Sequence, residues 1–588
     1  MRPREPYSGP APKLILGIDI GTTFAGMSYC LLEPGSIPDI LPVTRFPAQD
    51  HIGGDSKVPS VVYYDRSGMV RACGAEALQE SVVEQAVQER WEKAEWFKLH
   101  LRPSTSLSIL PLSLPPLPAN KSALEVYADF LRYLFYCARL YITHLYSNGG
   151  ALWISLEGKM EFVLTHPNGW EGEQQAKMRR ATVMAGLIPG TYTGHQRVRF
   201  VTEGEASLHF CIMNGLATDP LRRGNGVVII DAGGGTIDVS AYRKVATSKG
   251  ETFEEIARPQ CLFAGSIWVS NRAREHLRTK LRGSRYAGDV DHIRECFDRT
   301  TKLRFRRTDD LQYIKFGRPG DNNEALNITS GQLKLEGGIV ATFFKPSLDA
   351  ILIAMANLSP LSPISSVLLV GGFGASDWLY SELKARLKFQ GLDVSRPDSH
   401  VNKAVADGAV SFYLDHFVSV RVSKHTYGLE CVTAYVSDDA EHRARLKSAV
   451  KDAAGDLMIP KMFSPILLKN IPISETREYR ESYWKLKNNP SELQMVKVPI
   501  LSYRGQNPAP RWTDVEPEQY KVLCTVHADT SKIAKTLQRK LGLSGVYYRL
   551  DLEVILSFGL TEVKAQIAWV ENGVEKRGPA TLVYDEVS

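Results

Sequence analysis

Apolar positions follow two alternating periods along the first two thirds of the chain. LILGIDIG (14–21), GMSYCLL (26–32) and VPSVVYY (58–64) are short apolar runs bounded by turn residues, and they predict strands. From Ala75 to His100, Leu78, Val82, Val83, Ala86, Trp91 and Ala94 recur at near-helical spacing, which predicts helix. A long helix is predicted over 121–146, and EFVLTHP (161–167) predicts a buried strand stopped by Pro167. Residues 171–185 read as helix, and RVRFVTEGEA (197–206) as a strand running toward a second helix. After the polar break DPLRRGNG (219–226) the alternation restarts. VVIIDAGGGTIDVSAY (227–242) reads as strand–turn–strand, and VLLVGGFG (367–374) as a strand entering a glycine turn before a helix. Strands alternating with helices over so long a stretch indicate α/β layers.

The pattern changes at Val418. VSVRVSKHTYGLECV, FSPILLK, YKVLCTV, YYRLDLEVILSFG, VKAQIAWV and TLVYD predict a smaller, β-rich domain over 418–588, with a sandwich-like composition and one helical piece near 530–541. Residues 1–12 read as a flexible tail. Pro103, Pro111, Pro115, Pro116 and Pro118 mark a surface loop, since no helix or central strand accepts them; the one PxxP among them is a weak polyproline-ligand signal.

Composition narrows the classes. The chain has 588 residues, 44% apolar and 23% charged, which excludes wholesale disorder. Its surplus of +6 is too thin at this length to suggest nucleic-acid or anionic-membrane binding. The basic run Arg299, Lys302, Arg304, Arg306 and Arg307 lacks aromatic stacking partners and reads as a solvated helix end. Eight cysteines include no CxxC pair, so neither a zinc knuckle nor a disulfide scaffold is indicated. The N-terminus, MRPREPYSGPAPK, has no apolar secretory core. The apolar stretch 122–146 carries Glu125, Asp129, Arg132, Arg139 and His144, against a membrane span. These features predict a cytoplasmic or nuclear protein with reduced thiols. The sequons NKS (120–122) and NIT (327–329) then carry no weight.

The chemistry lies in an internal echo. LILGIDIGTT (14–23) and VVIIDAGGGT (227–236) are both apolar strands ending in aspartate, then glycine, then threonine. Glycine lets backbone N–H groups approach an anion without an intervening Cβ, and threonine hydroxyls add donors. The strand-end aspartates supply oxygen for Mg²⁺ or its water shell. One such turn could be a satisfied loop; two copies predict a clamp on a polyphosphate. No GxxxxGK[ST] occurs, which excludes a P-loop, and VLLVGGFGASD lacks the third glycine of a dinucleotide fingerprint.

GIDIGTT, DAGGGTID and LLVGGFG, in that order, resemble the phosphate-1, phosphate-2 and adenosine motifs of the actin-like ATPase superfamily. KVPSVVYY, CGAEA, VTEGEA, FKLHL and KAVADGAV bring the resemblance to the 70 kDa heat-shock protein (DnaK-like) family, and within it to a divergent, lidless, heat shock 70 kDa protein 12-like branch. That resemblance implies an α/β, two-lobed actin-like (ribonuclease H-like) ATPase domain over 13–415. Lobe I would take 13–210 and 396–415, lobe II 225–395, with a nucleotide cleft between them and the β-rich domain serving peptide substrates.

It also implies site residues. Gly21, Thr22, Thr23, Gly233, Gly234, Gly235, Thr236 and Gly265 would hold phosphates, and Gly371 and Gly372 would face adenosine. Asp19 and Asp231 would organise Mg²⁺. Lys98, Glu203, Asp231, Thr236 and Asp238 would position the attacking water. ATP or ADP with Mg²⁺, unfolded or extended polypeptide clients, and co-chaperones or nucleotide-exchange factors are the expected ligands and partners, with no nucleic acid. A nucleotide-dependent regulatory or scaffold protein with little hydrolysis, or a sugar kinase of the same superfamily, are the alternatives. Departures stand out: FAGSIW (263–268) replaces a Gly-Gly-Glu-Asp segment, FDRTTKLRF (297–305) leaves the register of Asp298, Arg299 and Lys302 open, Phe373 and Ala375 replace polar residues, and Asn402 replaces an aspartate. The ending DEVS is not a fully acidic co-chaperone tail.

Overall fold

The computed structural model describes residues 4–49, 56–103, 114–170, 172–216, 226–247, 250–358, 360, 362–397, 404–559 and 562–582. Pro111, most of DPLRRGNG, Asn402 and the terminal DEVS lie outside them. The chain divides into two compact units, Met1–Val418 and Ser419–Ser588.

The first unit contains the same strand arrangement twice. Strands β1 (Lys13–Ile20) and β2 (Phe24–Leu32) form an antiparallel hairpin, and helix α1 (Ala123–Leu145) follows later in the chain. Strand β3 (Met160–His166) runs parallel to β1. Helix α2 (Gly172–Met184) precedes β4 (Val198–Thr202), which runs parallel to β3 and leads directly into α3 (Glu203–Met213). The order is β2-β1-β3-β4. In the second half, β5 (Gly226–Ala232) and β6 (Ile237–Thr247) form the matching hairpin, extended by β7 (Gly250–Leu262). Helices α4 (Ser266–Lys280) and α5 (Gly337–Ala356) follow. Strand β8 (Ile364–Val370) runs parallel to β5, α6 (Asp377–Lys388) follows it, and β9 (Asp393–Ser395) runs parallel to β8. The order is β7-β6-β5-β8-β9.

Local sequence explains these elements. Strands β1 and β5 are buried almost along their whole length, as an unbroken apolar run predicts for a strand covered on both faces. Helix α1 starts in a capping box: Ser122 and Glu125 bond each other's backbone N–H. Each half has its own core. Phe130, Leu134, Phe162 and Phe200 lie in the first, and Ile230, Phe297, Phe344 and Leu369 in the second.

Helix α7 (Ala404–Asp415) crosses α3 and lies on β1, and two glycines permit this contact. A Cβ on Gly408 would lie 1.8 Å from the Ala206 carbonyl oxygen, and one on Gly17 would lie 2.7 Å from that of Ala406.

Several expectations change. Glu92–Glu95 is a strand paired with Val61–Tyr64, and Phe97–Leu101 is a 3₁₀ turn, so the helix expected to His100 ends at Glu89. Pairing with a distant strand outweighs the local periodicity. Residues 4–12 are not a loose tail: Arg4 Nε holds Asp415 Oδ1 at 2.8 Å, and the Tyr7 N–H donates to Ser36 O at 2.8 Å. The helix expected near 530–541 shrinks to Ser531–Ala534. Helix α5, rather than the stretch 122–146, is long and apolar enough to cross a membrane by length and composition; here Val340, Phe344, Leu348 and Ile351 are buried in the second core.

The second unit has a five-stranded sheet ordered Val450–Lys451, Leu457–Leu467, Thr426–Ala434, Met495–Tyr503 and Tyr520–Asp529. A second sheet is built on Glu478–Lys487, Gly545–Phe558, Val563–Glu571 and Val574–Arg577. Phe463, Ile500 and Val526 of the first sheet share one core with Leu552, Val554 and Ile567 of the second.

Candidate functional site

The two glycine turns meet. The β1–β2 turn is closed by Gly21 N–H to Phe24 O at 3.1 Å, and the β5–β6 turn by Gly233 N–H to Thr236 O at 2.9 Å. A Cβ on Gly234 would lie 2.4 Å from Thr23 Oγ1, and one on Gly235 2.4 Å from Thr22 Oγ1. The absence of side chains thus lets Thr22 and Thr23 sit against the opposite turn. The N–H groups of Thr22, Thr23, Gly234 and Gly235 have no hydrogen-bond partner among the described residues. Four such backbone donors on facing turns could receive an anion.

The start of α4 sets the second turn. Gly265 N–H donates to Gly235 O (3.2 Å), Ser266 N–H to Gly233 O (3.1 Å), Ile267 N–H to Gly234 O (3.0 Å), and the Trp268 indole N–H to Gly235 O (3.0 Å). Because peptide units are planar and trans, carbonyls held toward α4 leave the N–H groups of Gly234 and Gly235 aimed away from it. Gly265 is the close approach that makes this possible, since its Cβ would lie 2.4 Å from Gly234 O. Trp268 was not singled out from the sequence, although FAGSIW placed it beside Gly265.

Beneath the turns lie the acidic residues. Asp19, at the end of β1, is 3% exposed; its Oδ1 accepts from Thr165 Oγ1 at 2.9 Å and its Oδ2 from Lys57 Nζ at 3.0 Å. Lys98, also 3% exposed, holds Glu203 Oε1 at 2.5 Å, and Glu203 is the first residue of α3. Asp231 accepts from Ser207 Oγ at 2.7 Å and faces Asp238 across the β5–β6 ladder. Asp238 Oδ1 accepts the Asn168 N–H at 2.6 Å, and its buried carboxyl also has the Thr236 hydroxyl and the Cys261 thiol within reach.

Burial and mutual repulsion shape their protonation. Burial, reinforced by Glu203, pushes the Asp231 carboxyl up to about 7 and raises Asp238 well above the usual carboxylate range. Burial also raises Glu203 against the pull of Lys98. Burial works the same way on Asp19, but the Lys57 and Lys98 ammonium groups outweigh it and hold that carboxyl low. Lys98 is raised, because Glu203 and Asp19 outweigh the burial that would lower it. The cluster therefore pairs Lys98 with Glu203 beside Asp231, a carboxyl that takes up a proton near neutral pH.

The third glycine turn closes on the same place. Gly371 has φ +84°, and a Cβ there would lie 2.3 Å from Asp231 Oδ1. Phe373 N–H donates to Ala232 O at 2.8 Å, and its ring is buried 6.1 Å from that of Phe344. Gly372 is exposed. The register that the sequence left open near 297–305 is set by a π turn, Phe297–Thr301. It brings Asp298 within 3.0 Å of Lys302 Nζ and 2.5 Å of Ser270 Oγ, leaving Arg299 outside that network.

Asp19 and Asp231 are the residues expected to organise Mg²⁺ or its water shell; here the two Asp19 oxygens accept from Thr165 and Lys57. Among the described residues no three His, Cys, Asp or Glu side chains are grouped to hold a metal ion directly, and a Mg²⁺ carried by phosphate and water would need no such group.

No protein-family model matches the chain. It is similar to heat shock 70 kDa protein 12A of Homo sapiens, 23% identical over 633 aligned positions covering 94% of this chain and 89% of the relative. It is also similar to heat shock 70 kDa protein 12A of Mus musculus, 22% identical over 638 positions with the same coverage. These similarities support the resemblance read from GIDIGTT, DAGGGTID and LLVGGFG, and mark the chain as a relative of the heat shock 70 kDa protein 12 type.

Proposed function

We propose that this chain binds ATP or ADP between the two glycine hairpins of an actin-like, two-lobed first unit, hydrolyses ATP slowly, and couples nucleotide state to binding of extended polypeptide by the second unit. The observation that carries the reading is the set of unpaired N–H groups on Thr22, Thr23, Gly234 and Gly235, held on facing turns. Thr236 and Gly265 support that cradle, and Gly371 and Gly372 offer backbone to the nucleoside. Lys98 neutralises charge that develops on the γ-phosphate. Asp238, a buried carboxyl beside Thr236, accepts the proton of the attacking water, and Asp231 and Glu203 position that water. No step is assigned to Mg²⁺. The eight free thiols support extending the proposal to the cytoplasm or nucleus, where co-chaperones or exchange factors would be met.

A second reading, a nucleotide-dependent regulatory or scaffold protein with little hydrolysis, is favoured by the Lys57–Asp19 pair and by the apolar Phe373 in the nucleoside turn. Gly234→Asp tests the site common to both readings. Its carboxylate would meet Thr23 and repel phosphate in a poorly solvated cleft. ATP binding by calorimetry should be lost while thermal unfolding stays cooperative; unchanged affinity in the folded variant removes the site.

A further inference from the structure

The Lys57–Asp19 contact is built into the hairpin. Asp19 pairs with Gly26 across the β1–β2 ladder, and Val58, the residue after Lys57, pairs with Ala25. The Lys57 stem packs alongside Gly26: a Cβ there would be in ordinary contact, 3.5 Å from both Cγ and Cε of the lysine. Gln49 Nε2 fixes the Lys57 backbone by donating to its carbonyl at 2.6 Å. The lysine thus approaches over a glycine, reaches Asp19 Oδ2 at 3.0 Å, and keeps 18% of its side chain exposed. One of its three N–H donors meets the carboxylate; among the described residues the others have no hydrogen-bond partner and could face an anion.

We infer that Lys57 is a resident cation of the phosphate site, neutralising Asp19 and contacting phosphate oxygen where a divalent ion would otherwise do both. The inference rests on the nucleotide reading above and deepens it: the ligand is a nucleoside polyphosphate held without a divalent cation. Lysine is a compact point charge on a flexible stem, suited to phosphate. Its influence reaches Glu203 and Asp231, whose carboxyls it pulls down against burial. An ammonium carries one charge where Mg²⁺ carries two, so the site gives up Lewis-acid strength while retaining affinity. That combination suits nucleotide retention with slow turnover.

The test is ATP calorimetry on the full chain with excess EDTA and with Mg²⁺, for wild type, Lys57→Gln and Lys57→Arg. Wild-type affinities should agree within about threefold between the two conditions, and Lys57→Gln should lose about tenfold or more in EDTA. Lys57→Arg, which keeps the charge, should retain EDTA binding. Spin resonance of Mn²⁺ titrated without nucleotide gives an independent readout: Lys57→Gln frees Asp19 and should gain bound Mn²⁺ relative to wild type. Wild-type ATP binding that requires Mg²⁺, or Lys57→Gln equal to wild type in EDTA, overturns the inference alone. Absence of ATP binding in every arm overturns the nucleotide reading and this inference with it.

Discussion

Asp231 sits between Ser207, Gly371 and the facing Asp238, and burial there pushes its carboxyl from 3.8 to about 7. Over that interval the folded chain holds a proton that the unfolded chain releases. Stability from this group is therefore present at low pH and lost as pH rises through about 7. Asp19 has the opposite sign, because its lowered carboxyl contributes stability above its ordinary range and loses it in acid. Asp231→Asn keeps a neutral group at all pH. Its melting temperature should gain on wild type as pH rises from about 4 to about 7 and hold that gain above, and melting temperatures that run parallel across that interval would show that the carboxyl is not buried and proton-linked. Asp19, Asp231, Asp238 and the two threonines were legible because each sits at a fixed offset from a glycine turn. Lys57 was not, because its importance comes from the pairing of Val58 with Ala25, a contact between strands that local sequence does not encode.

At the scale of elements, the hairpins were visible as unbroken apolar runs ending in Asp-x-Gly, and the long helix over 121–146 as an apolar stretch, whose start the structure shows to be a capping box. Glu92–Glu95 was misread because Trp91 and Ala94 continue a helical spacing, while the strand exists only through its partner Val61–Tyr64. The grip of α4 on the second turn was also hidden, since nothing in FAGSIW shows that three successive N–H groups donate to the turn. That grip is testable at Gly265. A Cβ there meets backbone atoms, Gly234 O at 2.4 Å and Gly233 O at 2.7 Å, so relief requires moving the turn rather than rotating a side chain. Gly265→Ala should weaken ATP binding by about tenfold, because displaced carbonyls tilt the N–H donors with them. Gly338→Ala, in the first turn of α5 with open space around it, is the matched control and should leave affinity unchanged. Equal affinities for the two variants in calorimetry would show that α4 does not set the turn.

At the scale of the whole molecule, alternating strands and helices marked the first unit and short β runs the second, because the two kinds of layer differ in period. Strand order was not legible: the repeat β2-β1-β3-β4 and β6-β5-β8-β9 depends on pairings between distant segments. The second unit carries the proposal of polypeptide binding, and its apolar exposure points to where that would occur. Leu541, in the strand Lys540–Gly542, and Leu543, in the turn joining it to Gly545–Phe558, are 83% and 88% exposed. That turn lies against Ala454 and Gly455, next to the edge strand Val450–Lys451 and the exposed Val450 and Leu457. An edge strand offers unpaired backbone groups to an extended peptide, and neighbouring apolar side chains supply selectivity. An open edge does little to slow departure, so weak affinity should be set by a fast off-rate. Fluorescence anisotropy with an extended apolar peptide should show binding that Leu541→Asp with Leu543→Asp weakens by about tenfold, through lost apolar contact and added charge. ATP should shift the wild-type affinity, and linkage then requires that peptide shift ATP affinity by the same factor. Peptide affinity unchanged in the double variant would move the site elsewhere. Identical peptide affinity with and without ATP, in a chain shown to bind ATP, would leave two units that share a polypeptide but not a function.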